Sequence, residues 1–140
     1  MKLAMIGLGK MGGNMVRRLR RGGVEVVGYD RDSAVVAQLA KEDGMITASS
    51  VDDAVTKLSV PRIVWLMLPS GEPTEHQIRA LAPMLSKGDI IVDGGNSNYH
   101  DSQRRGACTD DCGNSRPGPD CVAKRKFLGR ANGSDFSCRE

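Results

Sequence analysis

Three glycines, Gly7, Gly9 and Gly12, stand directly behind a short apolar run, and no other feature of the chain restricts its fold as much. Leu3, Ala4, Met5 and Ile6 have no period, as expected of a strand buried on both faces. After the glycines, Gly13 to Arg21 carries Met15, Val16 and Leu19 at helical spacing, with arginines on the other side. Strand, glycine turn and helix in that order are the setting in which a G-x-G-x-x-G match acquires physical content. Gly7 permits the tight turn out of the strand. Gly9 omits the side chain that would hold a diphosphate off the backbone, and Gly12 lets helix and strand approach closely. The helix start then offers unpaired N–H groups and the positive end of its dipole to phosphate. A purely structural turn is the competing reading of the same glycines.

Gly22-Gly23 closes the first helix after a basic last turn, and Val24 to Tyr29 reads as a second strand. Asp30 stands at its end, 18 residues past Gly12, where an acidic side chain accepts hydrogen bonds from the adenosine ribose hydroxyls. A carboxylate there also repels the extra phosphate of NADP, so Asp30 points to NAD. Arg31 complicates this, because a guanidinium beside the ribose pairs with a 2′-phosphate or stacks on adenine. NAD is the expected cofactor and NADP the alternative. A mere cap on the next turn is the bland reading of Asp30, and it leaves the glycine loop without its partner.

Asp32 or Ser33 begins a second helix that Gly44 closes, with Val35, Val36 and Leu39 facing inward. Met45 to Ala48 reads as a short third strand, and Ser50 caps a short helix with Asp52 and Asp53 in its first turn. Arg62 to Leu68 is the most apolar run and predicts a central strand. Pro69-Ser70-Gly71 turns the chain at that strand's C-terminal end, the side on which open α/β sheets bind ligands. Thr74 with Glu75 starts the next helix, with Ile78, Leu81 and Leu85 buried and Pro83 kinking or shortening it. His76, near its first turn, is expected to be a solvated surface residue. Asp89 to Asp93 makes a fifth strand that runs into Gly94-Gly95-Asn96-Ser97-Asn98. Asn96 puts an amide at the strand's C-terminal edge, whereas Ser97 or Asn98 can simply cap a helix through Arg105. Strands alternating with helices predict an α/β fold, a Rossmann-type doubly wound parallel sheet.

Length and composition bound the rest. The 140 residues suffice for one domain with a real core. The net charge of +3 is mild, charges of both signs are interspersed and aromatics are only 4%, so no nucleic-acid surface is indicated. Arg17, Arg18, Arg20 and Arg21 read as a solvated helix face. No apolar run approaches the roughly 18 residues of a membrane span, and a cytoplasmic location is expected. Cys108, Cys112, Cys121 and Cys138 lack C-x-x-C spacing and have no histidine among them. Free thiols, and no metal site, are therefore expected.

Three motifs carry a family resemblance: Gly-Leu-Gly-Lys-Met-Gly-Gly-Asn at 7–14, Leu-Met-Leu-Pro-Ser-Gly-Glu at 66–72, and Asp-Gly-Gly-Asn-Ser-Asn-Tyr at 93–99. Together they resemble 6-phosphogluconate dehydrogenase, in particular its bacterial NAD-preferring branch, which reads Tyr-Asp-Arg after the second strand. The first motif is common to the β-hydroxyacid dehydrogenases; the third is more specific. That family oxidises the C3 hydroxyl of 6-phosphogluconate by hydride transfer to the nicotinamide, and the β-keto acid loses CO₂ to give ribulose 5-phosphate. The resemblance implies that Gly7, Leu8, Gly9, Lys10, Met11 and Gly12 hold the pyrophosphate and that Asp30 and Arg31 meet the adenosine ribose. It further implies that Leu68 and Pro69 line the cofactor, and that Asn96 faces both nicotinamide and substrate. The NADP-preferring branch reads Asn-Arg-Thr where this chain has Asp30, Arg31 and Asp32, a departure that supports NAD.

The resemblance covers residues 1 to about 105. Residues 106–140 show neither strand nor helix period and no apolar run long enough to bury. A changed reading frame near Gly106 is one expectation and a divergent natural C-terminus the other. The expected organisation is a dinucleotide-binding domain at 1–105 with its C-terminal part truncated, followed by a patternless tail at 106–140. The family's catalytic lysine and glutamate are implied to lie on a later helical domain, so these residues are expected to bind cofactor without turnover. The fifth strand is expected to form an exposed sheet edge. Another β-hydroxyacid dehydrogenase relative, or a non-catalytic NAD-binding module with a cysteine-bearing tail, are the remaining readings.

Overall fold

Lys2–Ile6 forms strand β1, and its Ala4 and Met5 are fully buried (0% exposed), so both faces of this strand lie in the core. The computed structural model describes residues 1–95 and a strand at 126–129. The further strands are β2 (Glu25–Tyr29), β3 (Ile46–Thr47), β4 (Ile63–Leu66), β5 (Ile90–Asp93) and β6 (Lys126–Gly129). The helices are α1 (Lys10–Arg21), α2 (Ser33–Asp43), α3 (Val51–Thr56) and α4 (Glu72–Leu81). All strand pairs are parallel, in the order β3-β2-β1-β4-β5-β6. The chain runs outward from β1 to β3, then returns to the other side of β1 with β4. The order therefore reverses between β1 and β4.

Alternation along β1 divides the core into two layers. Leu3 and Met5 face Val16 of α1 and Val36 and Leu39 of α2. Ala4 and Ile6 face Ala54 and Val55 of α3 and Ile78 and Leu81 of α4. Helices thus cover both faces, as the uninterrupted apolar runs require. Each large side chain buried here contributes on the order of 1.5–3 kcal/mol relative to exposure.

Helix ends follow their sequence signals. Asp32 caps α2 by accepting from the Ala34 N–H, and Gly44 ends it in the left-handed conformation at φ 65°. Ser50 caps α3 through the Asp53 N–H. Pro83 does shorten α4, which stops at Leu81 and passes into a 3-10 turn at Ala82–Met84. That helix starts at Glu72, ahead of Thr74, because Gly71 at φ 92° makes the turn and proline is tolerated in a first helical turn. Thr74 is instead buried and its hydroxyl donates to Pro69 O at 2.9 Å, fastening the helix start to the turn after β4.

Two expectations are corrected. Arg17 and Arg20 are half-buried: Arg17 pairs with Glu42 and Asp43, and Arg20 donates to the carbonyls of Asp43 and Val24. They tie α1 to the end of α2, a tertiary contact invisible in local sequence. The expected exposed β5 edge is also absent, since Lys126–Gly129 pairs with Ile90–Asp93 over its full length. Phe127 and Leu128 are its only apolar residues, too few to show a period. No helix among the described residues is long and apolar enough to cross a membrane.

Candidate functional site

The parallel register brings the C-terminal ends of the strands level, with Ile6 opposite both Tyr29 and Leu66, and Leu66 opposite Asp93. Three backbone bonds carry the order into the loops: Gly7 N–H to Tyr29 O, Met67 N–H to Ile6 O, and Gly94 N–H to Leu66 O, all 2.8–2.9 Å. Above this edge, where the strand order reverses, lies an open cavity of about 840 Å³. This is where a doubly wound sheet places its ligand, and the volume falls within the range of small-molecule sites.

The glycine turn forms one wall. Gly7 has φ 94°, and a Cβ there would come within 2.5 Å of Met67 O. A Cβ on Gly12 would collide with Gly7 O, so the turn and the first turn of α1 are in backbone contact. Gly9 differs from both: a Cβ there would meet nothing within 4 Å. The protein's own packing therefore does not require a glycine at 9, whereas a group lying in the cavity would.

The start of α1 is built for an anion. The first intrahelical bond runs from Gly13 N–H to Gly9 O, so the amides of Lys10, Met11 and Gly12 have no intrahelical acceptor. No side chain caps this end and no acidic residue lies in its first turn. Among the described α-helices only α1 lacks both: α2 and α3 have side-chain caps, and α4 has Glu72 and Glu75 in its first turn. The free N–H groups and the positive helix end attract phosphate.

Asp30 follows β2 and is half-buried on the cavity wall. Its Oδ2 accepts from the Leu8 N–H at 2.6 Å and its Oδ1 from the Asp32 N–H at 3.0 Å. Two further lone pairs remain on this carboxylate. Arg31 and Lys10 are exposed beside it and line the same cavity. The opposite wall comes from Met67, Leu68 and Pro69 after β4 and from Gly94 and Gly95 after β5. A Cβ on Gly94 would overlap the Trp65 indole, so a larger residue there would have to displace that side chain. Asp93 is buried and accepts from the Gly95 N–H at 3.0 Å, shaping that loop.

Gly7, Gly9, Lys10, Met11, Gly12, Asp30, Arg31, Leu68 and Pro69, expected from the sequence, thus share one cavity. Leu8 does not line it: its side chain is buried in the core beside Val16 and Leu39, and its amide turns to Asp30. Asn96 lies outside the described residues, as do Ser97, Asn98 and all four cysteines. His76 is exposed, as expected, yet with Gln77 it also lines the cavity. Sequence alone offers no signal for that role, because the face of α4 turned to the cavity is decided by packing. No cluster of three or more metal-ligating side chains occurs among the described residues.

Comparison with known proteins agrees with this geometry. Residues 2–115 match the model of the NAD binding domain of 6-phosphogluconate dehydrogenase, which carries the match past residue 105. The decarboxylating 6-phosphogluconate dehydrogenase of Aggregatibacter actinomycetemcomitans is 44% identical over 107 residues, covering 74% of this chain and 22% of that protein. The NAD(+)-dependent decarboxylating enzyme of Haloferax volcanii is 41% identical over 119 residues, covering 82% of this chain and 40% of the enzyme. The chain thus spans about a fifth to two fifths of these relatives' length. Plasmodium falciparum 6-phosphogluconate dehydrogenase, solved in its apo form, with NADP+ and with 6-phosphogluconate, superposes with a TM-score of 0.74. At 24% identity over 92% of this chain and 27% of that one, the likeness concerns the fold. The glycine turn, the reversal point and the family match lead to one assignment: the chain belongs to the family of the NAD-binding domain of 6-phosphogluconate dehydrogenase.

Proposed function

We propose that residues 1–105 are the cofactor-binding part of a 6-phosphogluconate dehydrogenase that prefers NAD, with NADP as the weaker ligand. The uncapped, acid-free start of α1 beneath Gly9 carries this reading. Gly7, Gly9, Lys10, Met11 and Gly12 receive the diphosphate. The free lone pairs of Asp30 accept from the ribose hydroxyls, and Arg31 flanks the adenosine. Leu68 and Pro69 lie along the nicotinamide half, and the family resemblance assigns Asn96 to nicotinamide and substrate. Lys126–Gly129 adds a strand to the edge of this unit.

When bound, the dinucleotide supplies the hydride acceptor for oxidation of the C3 hydroxyl of 6-phosphogluconate, which after loss of CO₂ yields ribulose 5-phosphate. The residues named here bind and orient; none is assigned as the base or acid of that reaction. Accordingly the 140-residue polypeptide is expected to bind NADH and to show no NADH formation with NAD and 6-phosphogluconate in an absorbance assay. Measurable turnover would contradict this.

The cofactor preference is tested by titrating the wild type and Asp30→Ala with NADH and with NADPH. Loss of hydrogen bonds to a charged acceptor costs about 1.5–3 kcal/mol, so Asp30→Ala is expected to weaken NADH binding about 10- to 100-fold. NADPH binding should fall less than NADH binding, because the repulsion between carboxylate and 2′-phosphate is gone. Equal affinities in the wild type, unchanged by the substitution, would remove the assignment of Asp30.

A further inference from the structure

Both carboxylate oxygens of Asp30 accept backbone N–H groups, and those groups belong to different loops. Oδ2 takes the Leu8 N–H from the turn between β1 and α1, and Oδ1 takes the Asp32 N–H from the turn between β2 and α2. The 2.6 Å bond to Leu8 is short, as expected when the acceptor is charged. Leu8 stands between Gly7 and Gly9, and its side chain is anchored in the core. Its amide is thereby held pointing at Asp30.

We infer that Asp30, besides meeting the ribose, is the positioning residue of the glycine turn. By gripping the Leu8 N–H it holds the turn so that the amides at the start of α1 face the diphosphate before any nucleotide arrives. This rests on the dinucleotide reading of the cavity and adds to it a role that involves no contact with the ligand. The effect passes through the backbone from Leu8 to Gly9 and on to Lys10, Met11 and Gly12.

The test uses a ligand that has the diphosphate but no ribose hydroxyls, 2′,3′-dideoxyadenosine diphosphate, alongside NADH. The wild type, Asp30→Ala and Asp30→Asn are titrated with both. Hydrogen exchange at the Leu8 amide is followed in the ligand-free proteins. Asp30→Ala is expected to weaken the dideoxy ligand about tenfold, the scale of one charge-assisted bond, and to speed Leu8 exchange. Asp30→Asn keeps an acceptor for Leu8, so the dideoxy ligand should stay within about threefold of wild type. NADH should weaken more than the dideoxy ligand in both variants. Equal binding of the dideoxy ligand by wild type and Asp30→Ala, with NADH weakened, would reduce Asp30 to a ribose acceptor and overturn the inference. Should Asp30→Ala not fold, Asp30→Ser, whose shorter side chain falls short of the Leu8 N–H, takes its place: weakened dideoxy binding supports the tie, and dideoxy binding equal to wild type with NADH weakened refutes it. Failure of both ligands to bind the wild type would sink the dinucleotide reading instead. The tie would then stand or fall on whether Leu8 exchange accelerates in the variants.

Discussion

Gly9→Ala is expected to weaken NADH binding at least about tenfold while leaving the thermal midpoint within about 4 °C of wild type. The two effects separate because Gly9 faces only the cavity. A Cβ there meets no protein atom within 4 Å, and its φ of −56° lies outside the left-handed region that favours glycine. Alanine is a poorer N-cap than glycine by a few tenths of a kcal/mol up to about 1, and it recovers a similar amount by restricting the unfolded chain. Binding has no such compensation. The methyl group stands where the diphosphate must approach the amides, and losing one charge-assisted bond costs about 1.5–3 kcal/mol. Gly12→Ala makes the control, because its Cβ would overlap Gly7 O. There the turn must move, so midpoint and affinity should fall together. A Gly9→Ala protein that binds NADH like wild type would show that the cavity above Gly9 is not where the diphosphate lies.

Asp89→Ala should do the opposite: lower stability by about 2–4 kcal/mol, near 10 °C in midpoint, with NADH affinity unchanged. Asp89 is 1% exposed and sits at the N-terminal end of β5, at the far end of the strands from the cavity. Its Oδ1 accepts from the Arg62 N–H at 2.7 Å, its Oδ2 accepts from the Ser86 N–H at 2.9 Å, and the Arg62 guanidinium lies 3.6 Å away. The carboxylate thus staples the entries of β4 and β5 together. Removing it strands two backbone donors and leaves a cation that keeps, among the described residues, only the Met84 carbonyl. The Arg62 side chain is a quarter exposed, so water relieves part of the penalty, which places the expected loss below that of a fully buried pair. Thermal unfolding and NADH titration of the one variant check both halves; a joint loss would mean that the two ends of the sheet are not independent.

Most of the sheet could be read from the sequence, since buried parallel strands announce themselves as apolar runs between glycine and proline. Leu3 to Ile6 and Ile90 to Val92 are of this kind, as are the caps Asp32 and Ser50, whose side chains act on amides two or three residues away. What could not be read depends on distance along the chain. Arg17 meets Glu42 only because α1 and α2 share a face, and Asp30 reaches Leu8 across 22 residues. Lys126–Gly129 gains its strand from pairing with β5, for which a four-residue run carries no periodic signal. The site divides along the same line. Glycines and Asp30 are legible because backbone geometry demands them, whereas His76 and Gln77 reach the wall through the orientation of α4, and Leu8 leaves it because the core claims its side chain.

A titration with NADH followed at the backbone amide resonances tests the central claim most directly. Saturable shifts at Gly9 to Gly13, with Ser86 to Ile90 unmoved, are the expected result. Saturable binding that leaves the amides at the start of α1 undisturbed would contradict it.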